Sequence, residues 1–303
     1  MICPYCSSSH SVKKGFQIHG NQRWKCKMCK RQYQSPSINE INLPKILLFD
    51  IETSLMEVFV WGLYKQRIPH TNIIKDDDGN EKSWFVISWA AKWLYDEHIL
   101  SDIVTPSEAR GRDDKRILQS IWKLLDEADI VIAHNGDRFD LRKLNARFLD
   151  NELNPPSPFK SIDTLKVARR HFAFQSFKQD YLTKHFFLEK KLETNFQLWV
   201  DCMKGDQKRL DKMAEYNRHD VMGLEEVYLK IRPYIKNHPN LGVLMDEDVC
   251  PSCGSEHMEE TNSVYFTSAY QYPVFRCNNC KTPYIRGRTH VSNYPTKLRS
   301  VAG

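Results

Sequence analysis

Apolar residues along this chain fall into short runs separated by polar stretches. Ile46-Leu47-Leu48-Phe49 has the length of a strand, residues 84–93 read as another, and Ile130-Val131-Ile132-Ala133 is apolar throughout, as a buried strand would be. A further strand is expected at 57–61. Residues 66–82 hold the turn signal Asp76-Asp77-Asp78-Gly79-Asn80 inside a long polar loop. Helical spacing appears over 113–127, where Ile117, Ile121, Leu124 and Leu125 share a face, and over 137–149, stopped by Asn154-Pro155-Pro156. The stretches 165–172, 179–186 and 210–231 complete the expected helices. Strands early, helices late and an Ile130 strand parallel to the first predict a mixed α/β sheet with flanking helices.

Composition sharpens the outline. The chain has 303 residues, 41% of them apolar, enough for a core of ordinary size. No stretch approaches 18 consecutive apolar residues and the start, MICPYCSSSH, lacks the order of a signal peptide, so a cytoplasmic protein with no membrane partner is expected. The net charge of +6 is uneven. Residues 1–39 carry +7 with no acid and residues 261–303 carry +6 with no acid, leaving −7 for the middle. Basic ends around an acidic centre suit a polyanion and a cation-binding cluster, although solvated surface charge explains the same numbers.

Eight of nine cysteines form C-x-x-C pairs near the two ends: Cys3, Cys6, Cys26 and Cys29, then Cys250, Cys253, Cys277 and Cys280. Spacers of 19 and 23 residues between pairs fit zinc ribbons, each with a structural Zn²⁺ closed by four thiolates. The expected organisation is a ribbon at 1–36, a catalytic domain at 44–236, a ribbon at 247–288 and a basic tail at 289–303. Arg23, Trp24 and Lys25 are candidate nucleic-acid contacts on the first ribbon; the competing reading makes the ribbon aromatics its small core. A protein partner for a ribbon is the other use of such a module.

Carboxylates gather where elements should end. In Phe49-Asp50-Ile51-Glu52-Thr53 the strand period puts Asp50 and Glu52 on one face about 7 Å apart. After the Ile130 run, His134-Asn135-Gly136-Asp137-Arg138-Phe139-Asp140 has a glycine for a tight turn and an aspartate at the start of a helix, with Asn135 or Asp137 available to cap it. Late in the chain, Tyr216 and Asp220 share a helix face, and Gly223 would let that helix approach the sheet.

Together these segments resemble the DEDD, or DnaQ-like, exonucleases, and within them the tyrosine subgroup that includes proofreading domains of family B DNA polymerases. Asp50-x-Glu52, Asn135-x-x-x-Phe139-Asp140 and Tyr216-x-x-x-Asp220 match its three motifs in order, and Glu215 stands where the histidine subgroup would need histidine. The resemblance covers roughly residues 44–235. It implies a ribonuclease H-like fold, 3′-to-5′ hydrolysis of nucleic acid with DNA favoured over RNA, and two Mg²⁺ or Mn²⁺ ions held by Asp50, Glu52, Asp140 and Asp220. Tyr216 would orient the attacking water, and Asn135 and Phe139 would touch the substrate. An RNA exonuclease or structure-selective nuclease uses the same acids, and an inactive nucleic-acid-binding adaptor is the reading from another class. Of the remaining candidates, Asp163 is expected to cap a helix, with metal binding as the alternative, His134 to be structural or a weak substrate contact, His219 to point away from the acids, Cys202 to be an inert core residue, and Trp61, Trp84, Trp89 and Trp93 to belong to the core.

Overall fold

A computed structural model describes residues 8, 10–16, 22–34, 44–65, 67–187, 194–266, 271–286 and 298–300. Met1–Leu43 and Pro44–Gly303 form separate compact units. In the first, β1 (Ser11–Phe16), β2 (Gln22–Cys26) and β3 (Gln32–Gln34) make an antiparallel sheet in that order. Trp24 of β2 and the half-buried Cys29 pack against the buried Cys26. Cys3 and Cys6 lie outside the described residues.

The second unit is built on a five-stranded mixed sheet of β4 (Ile46–Thr53), β5 (Val86–Trp93), β6 (Ile99–Ile103), β7 (Ile130–Ala133) and β8 (Lys160–Asp163), ordered β6-β5-β4-β7-β8. β4 is antiparallel to β5 and parallel to β7, as the position of the Ile130 run suggested. Its alternating side chains serve two layers. Leu47, Phe49 and Ile51 pack with Ile117, Leu118, Ile121 and Leu125, which form the apolar stripe of α2 (Lys115–Glu127). Ile46 and Leu48 face the other way, toward Val221, Leu224 and Tyr228 of the long helix near residue 220. Each such side chain, fully buried, contributes about 1.5–3 kcal/mol relative to exposure.

The helices around this sheet are α1 (Pro106–Gly111), which precedes α2, then α3 (Asp140–Asp150), α4 (Thr164–His171), α5 (Gln179–Phe187), α6 (Phe196–Met203), α7 (Gln207–Ile231) and the short α8 (Leu241–Met245). A four-stranded antiparallel sheet follows: β9 (Met258–Phe266), β10 (Gln271–Cys277), β11 (Pro283–Arg286) and β12 (Leu298–Ser300), ordered β12-β11-β10-β9. No helix among the described residues is long and apolar enough to cross a membrane.

The structure departs from the sequence-based outline at several points. Residues 57–61 are not a strand of the sheet. Val58 pairs only with Ile73, across a narrow ribbon that leaves Phe59, Val60 and Trp61 in water, because β5 already occupies the antiparallel edge of β4. Trp61 is therefore no core residue, whereas Trp89 is buried and donates from Nε1 to the Ile117 carbonyl at 2.9 Å. Gly223 makes room for α5, not for the sheet: a Cβ there would stand 2.9 Å from Thr183 Oγ1. β6, α1 and α6 were not anticipated; each is short and only partly apolar.

Asp114, at the entrance of α2, joins three elements. Its buried carboxylate accepts from the Val86 amide at 2.8 Å, and from Arg147 Nε at 2.8 Å and Nη2 at 2.7 Å, locking α3 against β5. Replacing one partner of such a pair strands the other charge in low dielectric. The variant Arg147→Leu should lose about 3–5 kcal/mol of stability, read by urea denaturation.

Candidate active site

The pairing of β4 with β7 stops at Leu48↔Ile132, while β4 runs on to Thr53. Beyond that point the β7 side of β4 has amides to satisfy. The chain leaving β7 turns back through Asn135 at φ 68° and Gly136, where a Cβ would meet the Ala133 Cβ at 2.4 Å. Only glycine fits this turn without displacing the strand end. The turn starts α3 at Asp140, whose Oδ1 accepts from the Ile51 amide at 3.2 Å. Asp140 thus continues the hydrogen bonding that β7 leaves unfinished, between the two positions that carry Asp50 and Glu52.

On the other face, α7 is capped by Asp206, which accepts from the Lys208 and Arg209 amides, and carries Tyr216, Asn217 and Asp220 toward β4. Carboxylate oxygens of Asp50, Glu52 and Asp220 lie within 4.8 Å of one another. The Tyr216 phenol hydrogen-bonds Asp220, and burial, followed by the negative charge of Asp220 and Glu52, holds its pKa well above the ordinary value. It is a donor here, not a base. Asp140 is set apart from this triad and buried. Burial pushes its carboxyl up to about 7; the neighbouring Asp163 adds to the rise and the Ile51 amide opposes it.

Three supporting residues were invisible in the motif pattern. Asn217, fully buried, donates from Nδ2 to Asp50 Oδ2 at 2.7 Å and accepts at Oδ1 from Ser88 Oγ at 3.1 Å. Ser88 is the residue paired with Glu52 across the ladder, so one amide ties Asp50, β5 and α7 together. Asparagine is a poor helix former, and its place one residue after Tyr216 was the signal available. Trp199 of α6 donates from Nε1 to Glu52 Oε2 at 3.2 Å and meets the Tyr216 ring edge-on, centroids 6.1 Å apart. Gln179 of α5 donates to the Asp220 carbonyl at 2.6 Å, which fixes α7 at the level of the site.

The secondary candidates divide. Asp163 caps α4, accepting from Leu165 and Lys166, and also receives the Asn135 amide at 3.0 Å; its Oδ2 is buried without a hydrogen bond. Asp137 does not cap α3 but pairs with Ser161 and Lys166. His134 is structural: its ring nitrogens meet Thr164 Oγ1 at 2.9 Å and the Phe177 carbonyl at 2.8 Å, and burial holds its pKa below the usual value. Cys202 is buried, its thiol pushed up to about 12, and His219 is exposed. Phe139 is partly exposed at the start of α3, with Lys143 Nζ 5.7 Å from its ring and 3.5 Å from that of Trp84.

At the C-terminal end, Cys250, Cys253, Cys277 and Cys280 form a second cluster, with Sγ separations of 3.5 Å (Cys250 to Cys280) and 3.6 Å (Cys253 to Cys277). A tetrahedral ion with bonds of about 2.3 Å would set its sulfurs about 3.8 Å apart, so the four thiols fit one transition-metal ion. Thr282 Oγ1 and Tyr284 Oη each lie 3.1 Å from a sulfur, of Cys280 and Cys250 respectively. Both C-x-x-C turns share one geometry. The first cysteine's amide donates to the carbonyl five residues on, Cys250 to Ser255 at 2.8 Å and Cys277 to Thr282 at 3.1 Å, with Gly254 or Lys281 at positive φ after the second. Cys26 repeats it in the first unit, donating to Arg31 at 2.9 Å with Lys30 at φ 62°. Arg23 stands opposite Gln34 on β2, and Trp24 and Lys25 are half-buried.

Residues 47–232 match the model of the RNase_H superfamily, and the chain belongs to that family. It is also 26% identical over 160 residues to a protein of Ureaplasma parvum serovar 3 named DNA polymerase III PolC-type; the match covers 52% of this chain and 11% of that protein. The chain therefore spans about a tenth of that relative. Family and site together support a nuclease-type hydrolase, and RNase H-like nucleases use divalent metal ions. The oxygen-only acidic cluster suits such ions.

Asn217→Ala should weaken Mn²⁺ binding to the acidic cluster about 10- to 100-fold, measured by calorimetric titration. Cys250→Ser should lower the content of tightly bound transition metal by one equivalent in elemental analysis of the purified chain.

Proposed function

We propose that this chain is a two-metal-ion 3′-to-5′ exonuclease acting on DNA ends. The observation that carries the reading is the convergence of Asp50 and Glu52 from β4 with Asp220 from α7, with Tyr216 hydrogen-bonded to Asp220. Two elements distant in sequence bring three carboxylates together, and their mutual repulsion favours cations between them. Asp50 would be shared by both ions, Glu52 and Asp220 would hold the ion beside the attacking water, and Asp140 would support the other. The ions would lower the pKa of that water and offset charge on the departing 3′ oxygen.

The chain's own groups prepare this chemistry. Asn217 and Trp199 fix one oxygen each of Asp50 and Glu52, leaving the carboxylates one orientation. Tyr216 keeps its proton and would hold the water by hydrogen bonding, with Asp220 as its anchor. The name of the Ureaplasma relative, a DNA polymerase, favours DNA, and the 3′-to-5′ polarity follows the motif resemblance. The cysteine quartets at 1–36 and 247–288 are assigned as zinc ribbons that add nucleic-acid or partner contacts to a catalytic module at 44–236.

A time course with 5′-labelled single-stranded DNA and the matching RNA, each with Mg²⁺, Mn²⁺ or EDTA, tests this directly. The expected result is a metal-dependent ladder shortening DNA from its 3′ end, abolished in Asp50→Ala while the melting temperature is retained. RNA degraded in preference would transfer the activity to RNA. Intact substrates in every lane, with a shift in a binding gel, would make the chain an adaptor.

A further inference from the structure

The ribbon that replaces the expected strand at 57–61 is held firmly at its base and is apolar at its tip. Phe59 donates its amide to the Asn72 carbonyl at 2.9 Å, Asn72 Nδ2 returns to the Phe59 carbonyl at 3.0 Å, and Ile74 donates to Glu57 at 2.9 Å. Arg112 clamps the base through Glu57 and the Ser83 carbonyl. The tip holds Trp61, 98% exposed, Leu63, 99%, and Tyr64, 78%. Large apolar side chains so fully in water are not explained by packing, and a group of them marks a contact surface.

Charge and position identify what it contacts. Residues 58–73 contain Lys65 and Arg67 and no acid, and Lys65 Nζ stands 5.2 Å above the Tyr64 ring. A hollow of about 390 Å³ beside Trp61 is lined by Phe59, Val60, Thr71 and Asn72. Aromatic faces interleaved with cations are the chemistry that grips an unpaired strand, through base stacking and phosphate contacts. The base of the ribbon follows Glu52 by five residues, so its backbone lies within about 18 Å of that of Glu52. It is continuous in the chain with the strand that carries the site.

The geometry points to this ribbon as a stacking platform for the unpaired 3′ segment of single-stranded DNA entering the site. The inference rests on the exonuclease reading and adds the surface that receives its substrate. A paired end presents no free base faces to Trp61 and Tyr64.

The test is binding without catalysis. In EDTA, the anisotropy of fluorescein-labelled dT12 and of a blunt duplex is titrated with the full chain, with the Trp61→Ala/Leu63→Ala/Tyr64→Ala variant and with Trp61→Phe. Because the replaced side chains are exposed, the variants keep the core intact, as circular dichroism verifies. The expected outcome is about tenfold or greater loss of dT12 affinity in the triple variant, in the range of one or more lost stacking contacts. Duplex affinity stays unchanged and Trp61→Phe stays near wild type. Unchanged dT12 affinity in the triple variant overturns the proposal, and if sedimentation changes at the same time the patch belongs to contact between copies of the chain. Hydrolysis is read separately in Mg²⁺. Loss of the exonuclease reading shows as intact substrate with normal dT12 binding, whereas failure of the platform shows as unaltered binding and degradation in the triple variant.

Discussion

Mutual repulsion among Asp50, Glu52 and Asp220 is the constraint around which this unit is arranged. Three carboxylates with oxygens within 4.8 Å of one another do not gather without neighbours that force them to. The force comes from both layers of the fold. Ile46 and Leu48 bury against α7 one turn of strand before the acids, so the hydrophobic contact that fastens α7 to β4 also delivers Asp220 to Asp50. The same packing that stabilises the core thereby concentrates negative charge at its edge, and a cation relieves it.

Neutral donors then set the fine geometry. Asn217, Trp199 and Tyr216 offer an amide, an indole and a phenol to Asp50, Glu52 and Asp220 respectively. None of the three neutralises a carboxylate, so the site keeps its charge for a metal while losing its rotational freedom. Asp140 follows a different logic. It replaces a missing strand neighbour by accepting from Ile51, and its burial explains why its carboxyl rises to about 7 while the three half-buried acids stand closer to solvent.

The parts legible in the sequence are those where one residue type answers one local need. The apolar run before Asp50 specifies a strand, the period of two then puts Asp50 and Glu52 on one face, and Gly136 is demanded by the Ala133 contact. What escaped depends on partners far along the chain. Asn217 acquires its role only when Ser88, 129 residues away, is opposite it, and Trp199 only when α6 is laid against Glu52. Gly223 was tied to the sheet, but its neighbour is Thr183 of α5, which packs along α7 at that level.

Trp61 shows the same limit with the opposite sign. An apolar run ending in tryptophan reads as core wherever the edge of a sheet is open to receive it. Here β5 has taken that edge with Ile87, Trp89 and Ala91, residues better placed to bury, and residues 57–61 are displaced into a ribbon of their own. The displaced side chains keep the composition of a strand without its burial. Their retention of aromatic and cationic character, with Glu57 occupied by Arg112 at the base and no acid toward the tip, is what separates a working surface from a leftover strand. A competition between two segments for one edge of β4 thus accounts both for the absence of a strand at 57–61 and for the exposed side chains of the ribbon that follows the acids in the chain.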